Sequence, residues 1–378
     1  MKTKKNIGFN ASMLDERPTG VGVYTFNIIN CIQKLYEKEA GYSINVFTPT
    51  DQHLNQNISL KRLPVILQSS RYGKMAAAGR FIWNTIFYPI QSHKMDMLIS
   101  TTTHGSLISY NQIVTIHDLL SLRFNNISSH QRFYFKYILP VLIKKAKKII
   151  AVSECTKTDI VSLLKCPAEK IEVVHNGYDK SRYFVNSEHS QEIKLRYDVC
   201  KYFLAVGPTY PHKNFEKLLH AYSWLPDSSK EQFPLVIAGG MKKYVETLKK
   251  ITNTIGIEKY VHFIGYVPIE LMRFLYAEAH ALIFPSLYEG FGFPLLEAMA
   301  CGCPVVCSNT SSMPEVCGDA ALYFNPESIE DIANSLRKIS LSESLRQTMI
   351  NKGLKQVESF SWEKSASQVK AIIDQCLN

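Results

Sequence analysis

The chain has 378 residues, of which 46% are hydrophobic and 20% charged, with a formal net charge of +10. That length favours two domains over one, and the composition excludes disordered, collagen-like and disulfide-scaffold classes. No apolar stretch is long enough to span a bilayer, and the basic start Met1–Lys5 is not followed by the apolar run of a secretion signal.

The nine cysteines are odd in number and scattered, so they are read as reduced. Cys301, Cys303 and Cys307 lack the paired Cys-x-x-Cys hooks of a structural zinc site and are read as small buried hydrophobes. The positive charge favours acidic partners: nucleotides, nucleic acid or an anionic membrane face. The sequence carries no RNP-like, zinc-finger or helix-turn-helix signature, so no nucleic-acid partner is expected.

In chain order, Ile7–Phe9 reads as a first strand and Arg17-Pro-Thr-Gly-Val-Gly-Val-Tyr24 as a loop feeding an amphipathic helix through about Tyr36. Gly20 and Gly22 would let a phosphate approach the helix N-terminus, although Gly-Val-Gly also serves packing and the full G-x-G-x-x-G fingerprint is missing. Further strands are expected at Ile44–Phe47, Leu60–Leu67, Met97–Ser100, Gln112–Ile116 and Ile149–Val152, with helices between several of them. That alternation implies a parallel sheet with binding residues at the carboxyl ends of its strands. His117-Asp118 follows one such strand, where His117 could contact a sugar hydroxyl or simply be fixed by strand-end hydrogen bonds. Ser153 is expected to cap the helix beginning at Glu154.

Residues Arg71–Ile90 and Arg132–Ile150 mix aromatics and aliphatics, including Phe81, Trp83, Phe87, Phe133, Phe135 and Tyr137, with Lys74, Arg80, Lys136 and Lys144. Such segments suit an interfacial helix on anionic lipid, or a domain helix with one buried face and solvated lysines. From Asp179 to Asp198 the pattern becomes polar, which marks an interdomain linker at 186–199.

A second βα series follows. Tyr202–Gly207 is a strand leading into Pro208-Thr-Tyr-Pro-His-Lys-Asn214 and a helix from Phe215; later strands are expected at Leu235–Ala238, Val261–Ile264, Ala281–Phe284, Val305–Val306 and Ala321–Phe324. Lys213 sits where an ammonium could neutralise a diphosphate, with His212 beside it, and Gly239 permits close backbone approach after another strand. Residues 281–306, ALIFPSLYEGFGFPLLEAMACGCPVV, read as strand, glycine-containing loop, helix and strand, with Glu289 in the loop and Glu297 in the helix. Two carboxylates around a helix start suit a nucleotide-sugar site, and equally a helix cap beside an exposed glutamate.

With the chain read through, the sequence resembles the retaining GT-B glycosyltransferases of family 4 ("glycosyl transferases group 1"), and is similar to bacterial mannosyltransferases of surface polysaccharide synthesis. The resemblance rests on the E-x7-E pair Glu289 and Glu297 with its surroundings through Ser311-Ser-Met-Pro-Glu315. It is supported by TGVGVY at 19–24, HDL at 117–119, VSE at 152–154, HNGYD at 175–179 and HKN at 212–214. It implies an α/β protein of two doubly wound Rossmann-like domains facing across a cleft: 1–185 for the acceptor, 200–360 for the nucleotide-sugar, and a C-terminal helix at 361–378 packing back on the first domain. It further implies that Glu297 binds the ribose, Glu289 faces the donor sugar, and the Phe291-Gly292-Phe293 backbone meets sugar hydroxyls. Lys213, with Gly20 and Gly22, would hold the diphosphate, and His117 would lie near the transferred sugar.

The reaction so implied is metal-independent and needs no cofactor, since the nucleotide-diphospho-sugar is itself the substrate and no Asp-x-Asp motif is present. Where many relatives carry a second basic residue, His212 stands beside Lys213, so diphosphate affinity is expected to depend on pH. The expected activity moves mannose from GDP-mannose to a glycan or polyprenyl-linked acceptor in O-antigen, capsule or exopolysaccharide synthesis. It is expected in the cytoplasm, peripherally bound to the inner face of the membrane. A UDP- or ADP-glucose-dependent glucan synthase, a nucleotide-sugar epimerase, and an inactive nucleotide-sugar-binding subunit are the alternatives.

Overall fold

A computed structural model describes residues 4–16, 18–39, 41–124, 127–185, 201–240 and 242–378; the linker expected at 186–199 lies outside the described residues. The chain forms two compact units, one of Met1–Gly177 with Ser361–Asn378 and one of Tyr178–Phe360. Residues 178–185, grouped with the first domain by the sequence reading, thus fold with the second unit, where the Tyr183 ring meets the Tyr276 ring edge-on at 6.1 Å.

The first unit is built on a seven-stranded sheet in the order β3-β2-β1-β4-β5-β6-β7. The strands are β1 (Lys5–Asn10), β2 (Tyr42–Thr48), β3 (Ser59–Arg62), β4 (Met97–Ser100), β5 (Gln112–Ile116), β6 (Lys148–Ala151) and β7 (Ile171–Val173). All pair in parallel. Central strands are apolar along their length because helices cover both faces, so Ile7, Phe9, Ile113, Val114, Ile149 and Ile150 are all buried. The strand expected at Leu60–Leu67 stops at Arg62 and gives way to a 3-10 turn at Val65–Leu67. Pro64 lacks the N–H a longer ladder would need. Helix α1 (Gly20–Tyr36) buries Tyr24, Ile28, Ile29 and Ile32, one apolar face at helical spacing. Helix α2 (Ser69–Ile82) runs into a π turn at Trp83–Phe87, and α3 (Glu154–Leu164) is capped by Ser153, whose Oγ accepts from the Thr156 N–H at 3.0 Å.

In the second unit six strands pair in parallel in the order β10-β9-β8-β11-β12-β13. They are β8 (Tyr202–Val206), β9 (Leu235–Ala238), β10 (Val261–Gly265), β11 (Ala279–Phe284), β12 (Val305–Ser308) and β13 (Ala321–Phe324). One core runs from β8 and β9 through Phe215, Leu218, Leu219 and Tyr222 of α4 (Phe215–Ser223) to Ile332, Leu336 and Ile339. Helices α5 (Ile269–Glu278) and α6 (Phe293–Ala300) flank β11 in sequence. Strand order reverses between β8 and β11, and a doubly wound sheet opens its binding crevice at the carboxyl ends of two such strands.

The last helix, α7 (Trp362–Leu377), packs on α1, and its inward face buries Trp362, Val369, Ile372 and Ile373. Tyr36 donates to Asp374 Oδ1 at 2.7 Å, and Ser365 Oγ donates to the His175 carbonyl at 2.5 Å. The chain leaves this unit after Gly177 and re-enters it at Ser361, and the two passages touch backbone to backbone. A Cβ on Gly177 would lie 2.3 Å from the Trp362 nitrogen and 2.5 Å from the Ser361 carbonyl carbon. Neither is a flexible side-chain end, so one passage has to move. Gly177→Ala is expected to destabilise the protein by roughly 1–3 kcal/mol, the usual range for overpacking, measured by urea denaturation; an unchanged midpoint would refute the contact.

Candidate functional site

The loops after β8 and β11 meet. Lys213 ends a 3-10 turn at Pro211–Lys213, and its Nζ lies 2.6 Å from Glu289 Oε1. Both side chains are largely withdrawn from water, and the ammonium also sits 5.6 Å from the centre of the Phe284 ring. A second link runs through the main chain, where the Leu287 N–H donates to the His212 carbonyl at 2.8 Å. Asn214 takes a left-handed conformation and ties the first loop to the Pro326 carbonyl through Nδ2 at 2.8 Å before α4 begins.

The Glu289 loop is pinned from outside by residues after β12. Ser311 Oγ accepts from the Glu289 N–H at 3.1 Å and donates to the Glu289 carbonyl at 2.5 Å. Ser312 Oγ lies 3.0 Å from the Glu289 carbonyl and 2.8 Å from the Phe291 carbonyl, and Thr310 Oγ1 donates to the Leu287 carbonyl at 3.2 Å. Sequence reasoning assigned Ser311 and Ser312 no role, because hydroxyls that hold a loop more than twenty residues away leave no spacing signal.

Phe291, Gly292 and Phe293 carry the chain from this loop into α6. Gly292 has φ +105, a left-handed value that excludes most side chains, and no side chain caps the helix it opens. Its first turn therefore aims the partial positive end of the helix dipole at the loop. Gly239 (φ +78) and Gly240 (φ +105) end β9; a Cβ on Gly240 would lie 2.6 Å from Pro208 Cγ, so the loops after β8 and β9 lie back to back.

Glu297 stands apart from Glu289 in environment. It is the one polar residue of α6, whose Leu295, Leu296, Ala298, Met299 and Ala300 are buried. Tyr276 of α5 donates to Glu297 Oε2 at 2.9 Å, and the Tyr183 hydroxyl acts in the same direction, lowering the proton affinity of the carboxyl less strongly. Burial outweighs both and raises the carboxyl from its ordinary range to about 7. His212 is buried beside Lys213, and burial together with that ammonium lowers its imidazole to about 4. It is neutral across the physiological range. A neutral His212 adds no charge that titrates near pH 7, and Glu297 is the group whose proton affinity falls in that range.

In the first unit, Gly20 and Gly22 open α1, whose N-cap Thr19 makes no side-chain cap bond. A Cβ on Gly22 would lie 2.8 Å from Pro18 Cβ, so this glycine serves close packing at the helix entrance. His117 follows β5 and lies 2.8 Å from the Thr101 carbonyl through Nε2. A carbonyl only accepts, so Nε2 carries the proton and Nδ1 is left as an acceptor. Tyr24 meets the ring edge-on at 4.8 Å, and burial lowers the imidazole to about 4, so His117 is a neutral, fixed-tautomer base. Asn10, at the end of β1, binds Asn84 Oδ1 at 2.5 Å and the His104 carbonyl at 3.3 Å, which organises the loop after β4.

Two family models match the chain, "Glycosyltransferase Family 4" over residues 18–182 and "Glycosyl transferases group 1" over residues 186–356. The chain is 32% identical to the O-antigen chain mannosyltransferase B of Escherichia coli over 68% of each chain. It is 27% identical to the O-antigen chain mannosyltransferase RfbU of Salmonella typhimurium over 87% of this chain and 90% of that one. The Anabaena protein HepE, solved in complex with UDP and glucose, superposes with a TM-score of 0.74 at 18% identity, covering 98% of this chain and 100% of that one. The protein therefore belongs to the glycosyltransferase family 4 and group 1 enzymes and has their GT-B fold of two Rossmann-like units.

In the free protein near neutral pH the Glu297 carboxyl is protonated in good part, and a ligand that donates hydrogen bonds to it favours the ionised form. Affinity for a ribose-bearing nucleotide sugar is expected to rise between about pH 6 and about pH 8, since a carboxylate accepts from a diol better than a carboxylic acid does. Calorimetric titration with GDP-mannose measures this. Glu297→Gln should flatten the profile and His212→Ala should leave it; the reverse pattern would return the titration to His212.

Proposed function

We propose that this enzyme transfers mannose from GDP-mannose, with retention at the anomeric carbon, to a glycan or polyprenyl-linked acceptor of surface polysaccharide synthesis. The observation that carries the reading is the Lys213–Glu289 pair at the reversal point between β8 and β11. The choice of mannose rests on the two O-antigen mannosyltransferases to which the chain is similar.

Lys213 is proposed to release Glu289 and bind the donor diphosphate, joined by the N-terminus of α6. As the bond from C1 to the phosphate oxygen breaks, its electron pair passes to the diphosphate. An acceptor hydroxyl bonds to C1 on the same face and gives its proton to the departing phosphate oxygen. Stabilising that oxygen is the main catalytic contribution. Glu289, held by its backbone and close to Lys213, orients the sugar and is assigned no covalent role. Glu297 binds the ribose, the 291–293 backbone the sugar hydroxyls, and Gly239 gives room for the nucleotide. His117, with Gly20 and Gly22, is proposed to serve the transferred sugar and the diphosphate as an acceptor of hydrogen bonds and a helix-end anion site. No divalent metal is invoked, because a protein cation and helix N–H groups supply the positive field.

Peripheral binding to an anionic membrane on its cytoplasmic face is also proposed, supported by exposed apolar residues of the first unit. Met75, Ile86 and Ile90 are each more than half exposed, as are Phe133 and Tyr137, near Lys136. Phe81 and Tyr134 join the two segments edge-on at 6.4 Å. Trp83 and Phe135, in the same segments, are core residues, as expected of domain helices with one buried face. Among the described residues no helix is long and apolar enough to cross a membrane.

A binding and turnover panel of GDP-, UDP-, ADP- and dTDP-sugars tests the donor. GDP-mannose is expected to bind and turn over with a chelator present. Preference for UDP- or ADP-glucose would favour a glucan synthase, and absence of any donor binding would favour a non-catalytic subunit. Lys213→Ala should lower kcat by about a hundredfold or more, the scale of losing one transition-state contact. For the membrane, replacing Ile86 and Ile90 with Glu should abolish co-sedimentation with phosphatidylglycerol vesicles and leave turnover of a soluble acceptor intact; retained binding would remove this surface from consideration.

A further inference from the structure

Two carboxylates of the second unit are held in opposite ways. Glu289 is paired with a cation at 2.6 Å, whereas the direct side-chain partner of Glu297 is a phenol, Tyr276 Oη, at 2.9 Å. Tyr276 is fully buried, and Tyr183, itself nearly buried, packs edge-on against its ring and reaches the same carboxyl. The charged neighbours of the group are Arg182 and Asp179, which act on it at longer range, and Asp179 engages Arg182 at 3.6 Å. Cys301, which follows the last residue of α6, is a buried neutral thiol.

A carboxylate has about four acceptor positions. Tyr276 takes one of those on Oε2, which leaves positions for two further donors. Because phenols are neutral, they fix the orientation of the carboxylate without supplying a counter-charge that would satisfy it in place of a ligand. A glutamate side chain otherwise loses considerable rotamer freedom when a ligand fixes it. A rigid tyrosine removes that freedom in advance.

We propose that Tyr276, backed by Tyr183, is a positioning residue that presents the Glu297 carboxylate to both hydroxyls of a nucleotide ribose and so sets the preference of this enzyme for ribonucleotides over deoxyribonucleotides. The proposal rests on the reading of Glu297 as the ribose ligand. Tyr183 comes from residues that follow the passage between units, so the segment leaving the first unit contributes to the nucleotide site of the second.

The test is calorimetric titration of GDP, UDP and ADP, and of their 2′,3′-dideoxy forms, into wild type and Tyr276→Phe, which keeps the ring and removes only the hydroxyl. Wild type is expected to prefer the ribonucleotide. Tyr276→Phe should weaken ribonucleotide binding about ten- to a hundredfold, the scale of one hydrogen bond to a charged group, and leave the dideoxy affinity within about twofold. The difference between the two ligands cancels the titration of the terminal phosphate. That difference should have its midpoint at higher pH in the variant, because a donor to the carboxylate has been lost. Tyr183→Phe should shift both quantities in the same direction by less, and serves as the test should Tyr276→Phe fail to fold. Equal losses for ribo and dideoxy ligands, or no loss for either, would show Tyr276 to be structural and overturn the proposal. A wild type that does not distinguish the two ligands would remove Glu297 as ribose ligand, and with it the premise. Binding of none of the six would overturn the nucleotide-sugar reading as a whole.

Discussion

The candidate donor site depends on the ion pair between Lys213 and Glu289, and that pair depends on the reversal of strand order in the second sheet. Parallel strands release their loops at one end, and where the winding changes direction two of these loops have no crossover helix between them. Lys213 and Glu289 lie 76 positions apart and are brought to 2.6 Å by that rule. Neither end of the pair hangs on a long free loop. Asn214 ties one loop to Pro326, and Ser311 and Ser312 grip the main chain of the other. A partly withdrawn ion pair gains only when its geometry is fixed, and these clamps fix the backbone on both sides of it.

The contrast between the two glutamates shows how one residue type acquires two chemistries within eight positions. Glu289 lies in a loop that leads into a helix, 2.6 Å from the Lys213 ammonium. Glu297 lies on the inner face of an apolar helix with phenols as partners, surroundings that hold its proton to about pH 7. The first suits a group that meets a diphospho-sugar, and the second a group that ionises when a diol arrives. The imidazoles behave alike in both units: His117 and His212 are neutral because their surroundings exclude water.

Much of this was legible in the residues. Alternating apolar runs and helical periods located most strands of the two sheets within a residue or two, although the edge strand Ile171–Val173 was not among them, and the break after Phe284 followed by Gly290 and Gly292 placed one glutamate in a loop and the other in a helix. Errors came where a local pattern serves two ends. Leu60–Leu67 is apolar and β-prone, yet Pro64 ends the ladder. Trp83 and Phe135 sit among exposed aromatics in sequence but face the core, the second of the two readings their segments left open. Charge on His212 was inferred from its place beside Lys213, whereas burial, helped by that same ammonium and opposed by Glu289, holds the imidazole neutral.

The sequence by itself determined the class of fold and the identity of the residues at the strand ends, because hydrophobic period and glycine placement are local properties of the chain. Only the tertiary structure decided which of those residues touch and in what state of charge. The serines that hold Glu289, the tyrosines that hold Glu297, and the desolvation that neutralises His212 are all contacts between distant segments. Proton affinity follows from the dielectric and the partners a folded interior brings together, and neither is written in the spacing of residues along the chain.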